Sequence, residues 1–135
     1  MSDVRFGRSV GAVLAGFVVV AGLSLATDQV LHVLRVYPPW GEPMRDPGLN
    51  ALALAYRSVF TVGGMYLTAA LAPSSPMRHA LIGGVIGTLL AAAGAVAAIP
   101  LHLGPAWYPI ALVVTTLPLA WAGGALRLRR GAPTR

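Results

Sequence analysis

The sequence predicts an all-α polytopic membrane protein, a four-helix transmembrane bundle with both ends on the inner side of the membrane. Three observations carry this expectation. Of the 135 residues, 56% are apolar and only 10% charged, whereas a soluble domain has roughly a quarter of its residues charged. Four apolar runs, at about 10–36, 49–71, 77–99 and 107–126, each come near the roughly 20 residues a helix needs to cross a hydrocarbon core about 30 Å thick. The ten basic residues are all arginine, and most of them flank the runs.

The first run extends from Val10 to Val36 and is ended by Tyr37-Pro38-Pro39-Trp40-Gly41-Glu42-Pro43, continuing to Pro47-Gly48. The second, Leu49 to Leu71, stops at Pro73-Ser74-Ser75-Pro76. The third, Met77 to Ile99, stops at Pro100 through Gly104-Pro105. Proline and glycine at this density end helices, and connections this short make neighbouring helices antiparallel. The fourth run, Trp107 to Leu126, contains Pro118, which frees the carbonyl of Val114 beside Thr115 and Thr116 and predicts a kink. Residues 127–135 read as a short cytoplasmic basic tail without order.

With the N-terminus inside, the inner side collects Arg5, Arg8, Arg78, Arg127, Arg129, Arg130 and Arg135, while the outer loops hold Arg45 with Glu42 and Asp46. This asymmetry is the positive-inside pattern and implies that both ends lie on the inner side. Tyr37 and Trp40 leaving the first run, and Trp107 and Tyr108 entering the fourth, supply aromatic rings at the outer boundary. Arg5, Arg8 and the apolar stretch to Leu23, with small residues at Ser24 and Ala26, also fit a signal peptide cleaved after Ala26. Apolar character resumes at Val30, and three more runs follow, so an uncleaved first span is the simpler reading; intact mass decides between them.

Ionisable groups inside such runs point to function. Asp28, His32 and Arg35 fall within an arc of about 60° on one helical face. Asp28 lies about 12 Å below Val36, and Arg57 about 12 Å below Leu49, at 1.5 Å per residue. The two share a layer, and each alone costs about 3 kcal/mol on insertion scales. An ion pair fixing the first helix to the second is therefore the leading expectation, with Arg35 at the interface and His32 left without a partner. A proton, ion or ligand site and snorkelling to the interface are the alternatives. Asn50, Arg57, Thr61, Gly64 and Thr68 form one polar and small stripe that turns Arg57 inward.

The third run carries a narrow face of small residues, Ala80, Gly84, Gly87, Ala91, Gly94 and Ala98, with Gly83 beside it and a GxxxG spacing at Gly83 and Gly87. Such faces let helix backbones approach closely. An intramolecular seam is favoured over a homodimer or a second membrane protein, because four helices offer internal partners. Gly11, Ala15 and Gly22 give the first helix a smaller version.

The chemistry expected is sparse. The absence of cysteine removes thiolate sites and disulfides. The net charge of +6 lies at the ends of apolar runs, so nucleic acid is not the expected partner; the lipid bilayer is. His79 and His102 sit at opposite ends of the third run and cannot share a centre. His32 and His102 with Asp28 or Glu42 form the one metal set considered, on the outer face. There is no HExxH, Walker loop, nucleophile elbow or dinucleotide fingerprint, so neither catalysis nor a cofactor is expected.

The strings Tyr37-Pro38-Pro39-Trp40-Gly41-Glu42-Pro43-Met44, Ala55-Tyr56-Arg57, Gly63-Gly64-Met65-Tyr66-Leu67-Thr68-Ala69, Leu71-Ala72-Pro73, Pro76-Met77-Arg78-His79-Ala80 and Gly104-Pro105-Ala106-Trp107-Tyr108-Pro109 resemble a family of small uncharacterised bacterial four-span inner-membrane proteins. That resemblance covers most of the chain, implies the four-span fold and transfers no activity or catalytic residue. The likeness to small multidrug transporters is one of size and span number: their membrane carboxylate is a glutamate in the middle of the first helix, whereas Asp28 lies in the outer third. The expected role is structural, accessory or interactive, and the alternative is a small oligomeric transporter or proton-linked carrier using Asp28 or His32.

Overall fold

The computed structural model describes residues 2–131, which form four helices in order: α1 (Ser2–Val33), α2 (Pro47–Leu71), α3 (Pro76–Ala98) and α4 (Trp107–Gly131). A 3-10 turn, Ile99–Leu101, continues α3. There is no strand among the described residues. Three of the helices, α1, α3 with its 3-10 turn, and α4, are long and apolar enough to cross a membrane. α2 has the same length as α4, 25 residues, but Asn50, Tyr56, Arg57 and its threonines dilute its apolar character.

Local chemistry fixes the ends. Asp46 caps α2 by accepting from the Leu49 N–H at 3.0 Å, and Pro47 occupies the first turn, where its missing N–H is not needed. Pro76 opens α3 in the same way, behind Ser75 in the left-handed region at φ 45°.

Both terminal helices run further than their apolar runs. α1 starts at Ser2 rather than Val10, because apolarity marks what suits lipid, not what can be helical, and Asp3 in the first turn complements the helix dipole. α4 continues to Gly131 with Arg129 and Arg130 in its last turn, so the basic residues 127–130 belong to the helix and not to a tail; 132–135, with Arg135, lie outside the described residues. The first helix also ends earlier than expected, at Val33. Arg35 takes φ 58°, its N–H bonds the His32 carbonyl at 3.0 Å and the Val36 N–H bonds the Leu31 carbonyl at 2.9 Å, the two bonds of a Schellman stop. Arg35 therefore leaves the face it was expected to share with Asp28 and His32.

α4 passes through Pro118 without interruption. Thr115 and Thr116 donate to the carbonyls of Ala111 and Leu112, at 2.7 and 2.6 Å, rather than relieving Val114.

Close backbone approach organises the packing. The most extensive contacts are α3 with α4, α2 with α4, and α1 with α2. On α3, a Cβ added to Gly83 meets Met65 Sδ of α2 at 2.7 Å, one on Gly84 meets Ala120 Cβ of α4 at 2.6 Å, and one on Gly87 meets Thr116 Cγ2 at 3.0 Å. The GxxxG face is thus filled from within the chain. α2 meets α1 at Gly64 and Gly16, and α4 at Gly123, where an added Cβ lies 2.5 Å from the Val62 carbonyl oxygen. Gly94 is the exception: a Cβ there meets nothing within 4 Å, so it has no packing role. Gly11 and Gly22 are equally open.

One end of the structure gathers the N-terminal ends of α1 and α3 and the C-terminal ends of α2 and α4. There His79 Nε2 meets Ser9 Oγ at 2.9 Å, and the Arg130 guanidinium lies 5.9 Å over the Tyr66 ring, within cation–π range. Arg5, Arg8, Arg78, Arg127 and Arg129 belong to this end. The opposite end holds Arg35, Arg45 and the two longer loops, after α1 and after α3, with the Met44 N–H bonded to the Leu103 carbonyl at 2.7 Å.

Candidate functional site

Asp28 is the centre of the loop end. It sits five residues before the end of α1, turned toward α2, and is 6% exposed. A buried carboxylate must be paired or hydrogen-bonded, and α2 supplies both: Arg57 Nη2 donates to Oδ2 in an ion pair, and Tyr56 Oη donates to Oδ1. Tyr56 in turn meets Tyr37 Oη at 3.0 Å, which ties the loop after α1 into the same network. Burial raises the pKa of the Tyr37 hydroxyl above its ordinary value, offset in part by its bond to Tyr56.

Sequence reasoning missed Tyr56. It is the immediate neighbour of Arg57, about 100° further round the helix, and nothing in the polar stripe of α2 points to it. Within that stripe Asn50, Gly64 and Thr68 are buried. Asn50 Nδ2 donates to the carbonyls of Met44 and Asp46, at 2.9 and 2.8 Å, fastening the first loop. Thr61 donates to the Arg57 carbonyl at 2.8 Å.

His32 has three partners. Its ring Nδ1 lies 2.6 Å from the Asp28 carbonyl oxygen, and the ring stacks on Trp40 with centroids 3.8 Å apart and planes 7° from parallel. Tyr37 meets the same ring edge-on at 5.3 Å. Trp40 Nε1 donates to Gln29 Oε1 at 3.2 Å, so the turn after α1 folds back onto its last turns. Trp107 is exposed and edge-on to Tyr108 at 6.2 Å.

The ion pair lines a cavity of about 450 Å³. Its walls come from the C-terminal end of α1, the N-terminal half of α2, the C-terminal half of α3 and the start of α4, with Trp40 and Met44 contributed by the first loop. Ala91, Gly94, Ala95 and Ala98 line it from α3. The small face of α3 is therefore divided: its first half packs against neighbours, and its second half leaves space.

His32 and His102 do not build the metal set considered on the outer face. Among the described residues no three His, Cys, Asp or Glu side chains converge, and both Asp28 oxygens are already bonded. His102 takes φ 51° at the end of the 3-10 turn and faces outward.

Compared with known proteins, the chain matches no family model, no curated protein and no solved structure.

Proposed function

We propose that this chain is a four-span protein of the bacterial inner membrane, with both termini inside, whose role is structural, accessory or interactive, and whose outer half is held by the Asp28–Arg57 clasp. The observation that carries the reading is the complete engagement of the Asp28 carboxylate by Arg57 and Tyr56. A charge so bonded serves to fix one helix on another. α2 crosses with the others because its one charge is neutralised by α1, which supports counting it as a span although three helices alone meet the apolar criterion. The arginines gathered at the His79 end support that end as the inner one. Kinship with the four-span family rests on the sequence strings alone.

The carrier reading is favoured by the cavity beside the pair, and disfavoured by an aspartate whose two oxygens are both occupied. Melting in detergent tests the clasp. Asp28→Asn and Arg57→Gln should each destabilise, by about 3 kcal/mol at the low end of the range for a broken buried pair, since the Arg57 side chain is 32% exposed. The double change should recover part of the loss. A pH-dependent flux in proteoliposomes that vanishes in Asp28→Asn at unchanged stability overturns the reading.

A further inference from the structure

The cavity is chemically lopsided. Its walls carry many alanines, prolines and glycines, while Asp28 and Arg57 stand together with His32, Glu42, Asn50 and Tyr108 also lining the space. Each Asp28 oxygen already takes one bond, from Tyr56 and from Arg57, while Arg57 keeps donors to spare. Among the described residues Arg57 engages Asp28 through Nη2 alone, although a guanidinium carries several N–H groups and no acceptor; its Nε is buried, so the donors a cavity occupant can reach are those of the Nη atoms.

Charge narrows the occupant. Asp28 cancels Arg57 at the pair, so the spare donors come without net positive charge. An anion would be drawn to Arg57 but repelled by Asp28 and by Glu42, which also lines the space, and a cation would have to settle against the Arg57 guanidinium. A neutral acceptor meets neither penalty. The volume of about 450 Å³ lies in the range of small-molecule pockets, which are mostly apolar with a few placed polar groups.

We propose that this cavity binds a compact, neutral, chiefly apolar molecule through a carbonyl oxygen directed at Arg57. The carbonyl is either that of a free molecule or the ester of a membrane lipid. The proposal rests on the membrane reading above and extends it by giving the clasp a second role: Asp28 sets the charge of the site while Arg57 supplies its donor. The division of the α3 face follows, because residues larger than Ala91, Gly94, Ala95 and Ala98 would fill the space.

Photolabelling with benzophenone, itself an apolar ketone, tests this in nanodiscs of the full chain. Labelled peptides should include Met44 and Leu112 of the cavity wall. Dicyclohexyl ketone should protect them roughly tenfold more strongly than dicyclohexylmethane, the difference expected for a hydrogen bond to a charged donor. Gly94→Leu, placed where an added Cβ meets nothing, should abolish the protectable labelling while the melting temperature holds. Nanodiscs of ether-linked instead of ester-linked phospholipid separate the two sources: rising labelling supports a lipid ester as the occupant, and unchanged labelling overturns that source and leaves the free molecule, for which the ketone comparison decides. Equal protection by ketone and hydrocarbon overturns the proposal, as does stronger protection by cyclohexanecarboxylate, or labelling confined to exposed residues such as Val85 and Leu89. None of these outcomes touches the clasp, which the Asp28 and Arg57 melting series tests separately.

Discussion

Gly16 of α1 and Gly64 of α2 face each other reciprocally: a Cβ on the first would lie 2.7 Å from the carbonyl oxygen of the second, and a Cβ on the second 2.8 Å from the carbonyl oxygen of the first. Backbone meets backbone here, so neither side can yield by turning a side chain. Gly16→Ala and Gly64→Ala should each cost about 1 to 3 kcal/mol by overpacking. Gly94→Ala serves as the control and should be neutral or stabilising by up to about 1 kcal/mol, because alanine favours helix and nothing is displaced. Thermal melting of the three variants in one detergent separates the two kinds of glycine.

Tyr56 and Tyr37 hold unequal places in the network. Tyr56 donates to a carboxylate, whereas Tyr37 meets only a hydroxyl. Tyr56→Phe should therefore lose about 1.5 to 3 kcal/mol, the range for a bond to a charged group, and Tyr37→Phe about 0.5 to 1.5 kcal/mol. Equal losses in a denaturation series would show that the Asp28 bond is not the stronger one.

Alkaline pH should weaken the loop end. The Tyr37 hydroxyl is raised by burial, so the folded state holds its proton more tightly than the unfolded chain, whose tyrosines titrate near pH 10. The stability this contributes is present in full below about pH 10 and is lost as the pH climbs through the folded-state value. Melting temperature plotted against pH should fall above about pH 10, and less steeply in Tyr37→Phe than in the unaltered protein.

His79 and Ser9 link α3 to α1 at the end opposite the cavity. Ser9→Ala and His79→Gln should each lose about 1 kcal/mol, in line with interhelical bonds in membranes, and the double change should cost less than the sum. Strict additivity in a double-mutant cycle would mean that the two side chains are not coupled.

The helices were legible because proline and glycine punctuate this chain at every turn, and because long apolar runs admit few other structures. Their limits were not. The α1 stop depends on Arg35 entering a left-handed conformation usually given to glycine, which no local residue announces, and that single turn removes Arg35 from the stripe. At the site, counting residues from the ends of two antiparallel runs set Asp28 and Arg57 at one level, since a rise of 1.5 Å per residue is fixed. Tyr56 escaped because rotation about α2, unlike depth, is decided by packing. The partner of His32 escaped because Trp40 reaches it only after the chain reverses. Gly16 stands on the face of Ala12, Ser24 and Asp28, all buried, a four-residue spacing that the Gly11, Ala15 and Gly22 reading passed over, whereas Gly94 continues a marked pattern past the point where neighbouring backbones draw apart.

During synthesis α1 leaves the ribosome before any partner for Asp28 exists, since Arg57 follows 29 positions later. On the proposed topology, lipid first meets a helix carrying an unmatched carboxylate, and then a second carrying an unmatched guanidinium, each disfavoured by about 3 kcal/mol alone. Entering as a preformed hairpin removes both penalties at once. The translocation machinery would then handle α1 and α2 as one unit, and a ribosome stalled between them should leave α1 poorly retained in the bilayer.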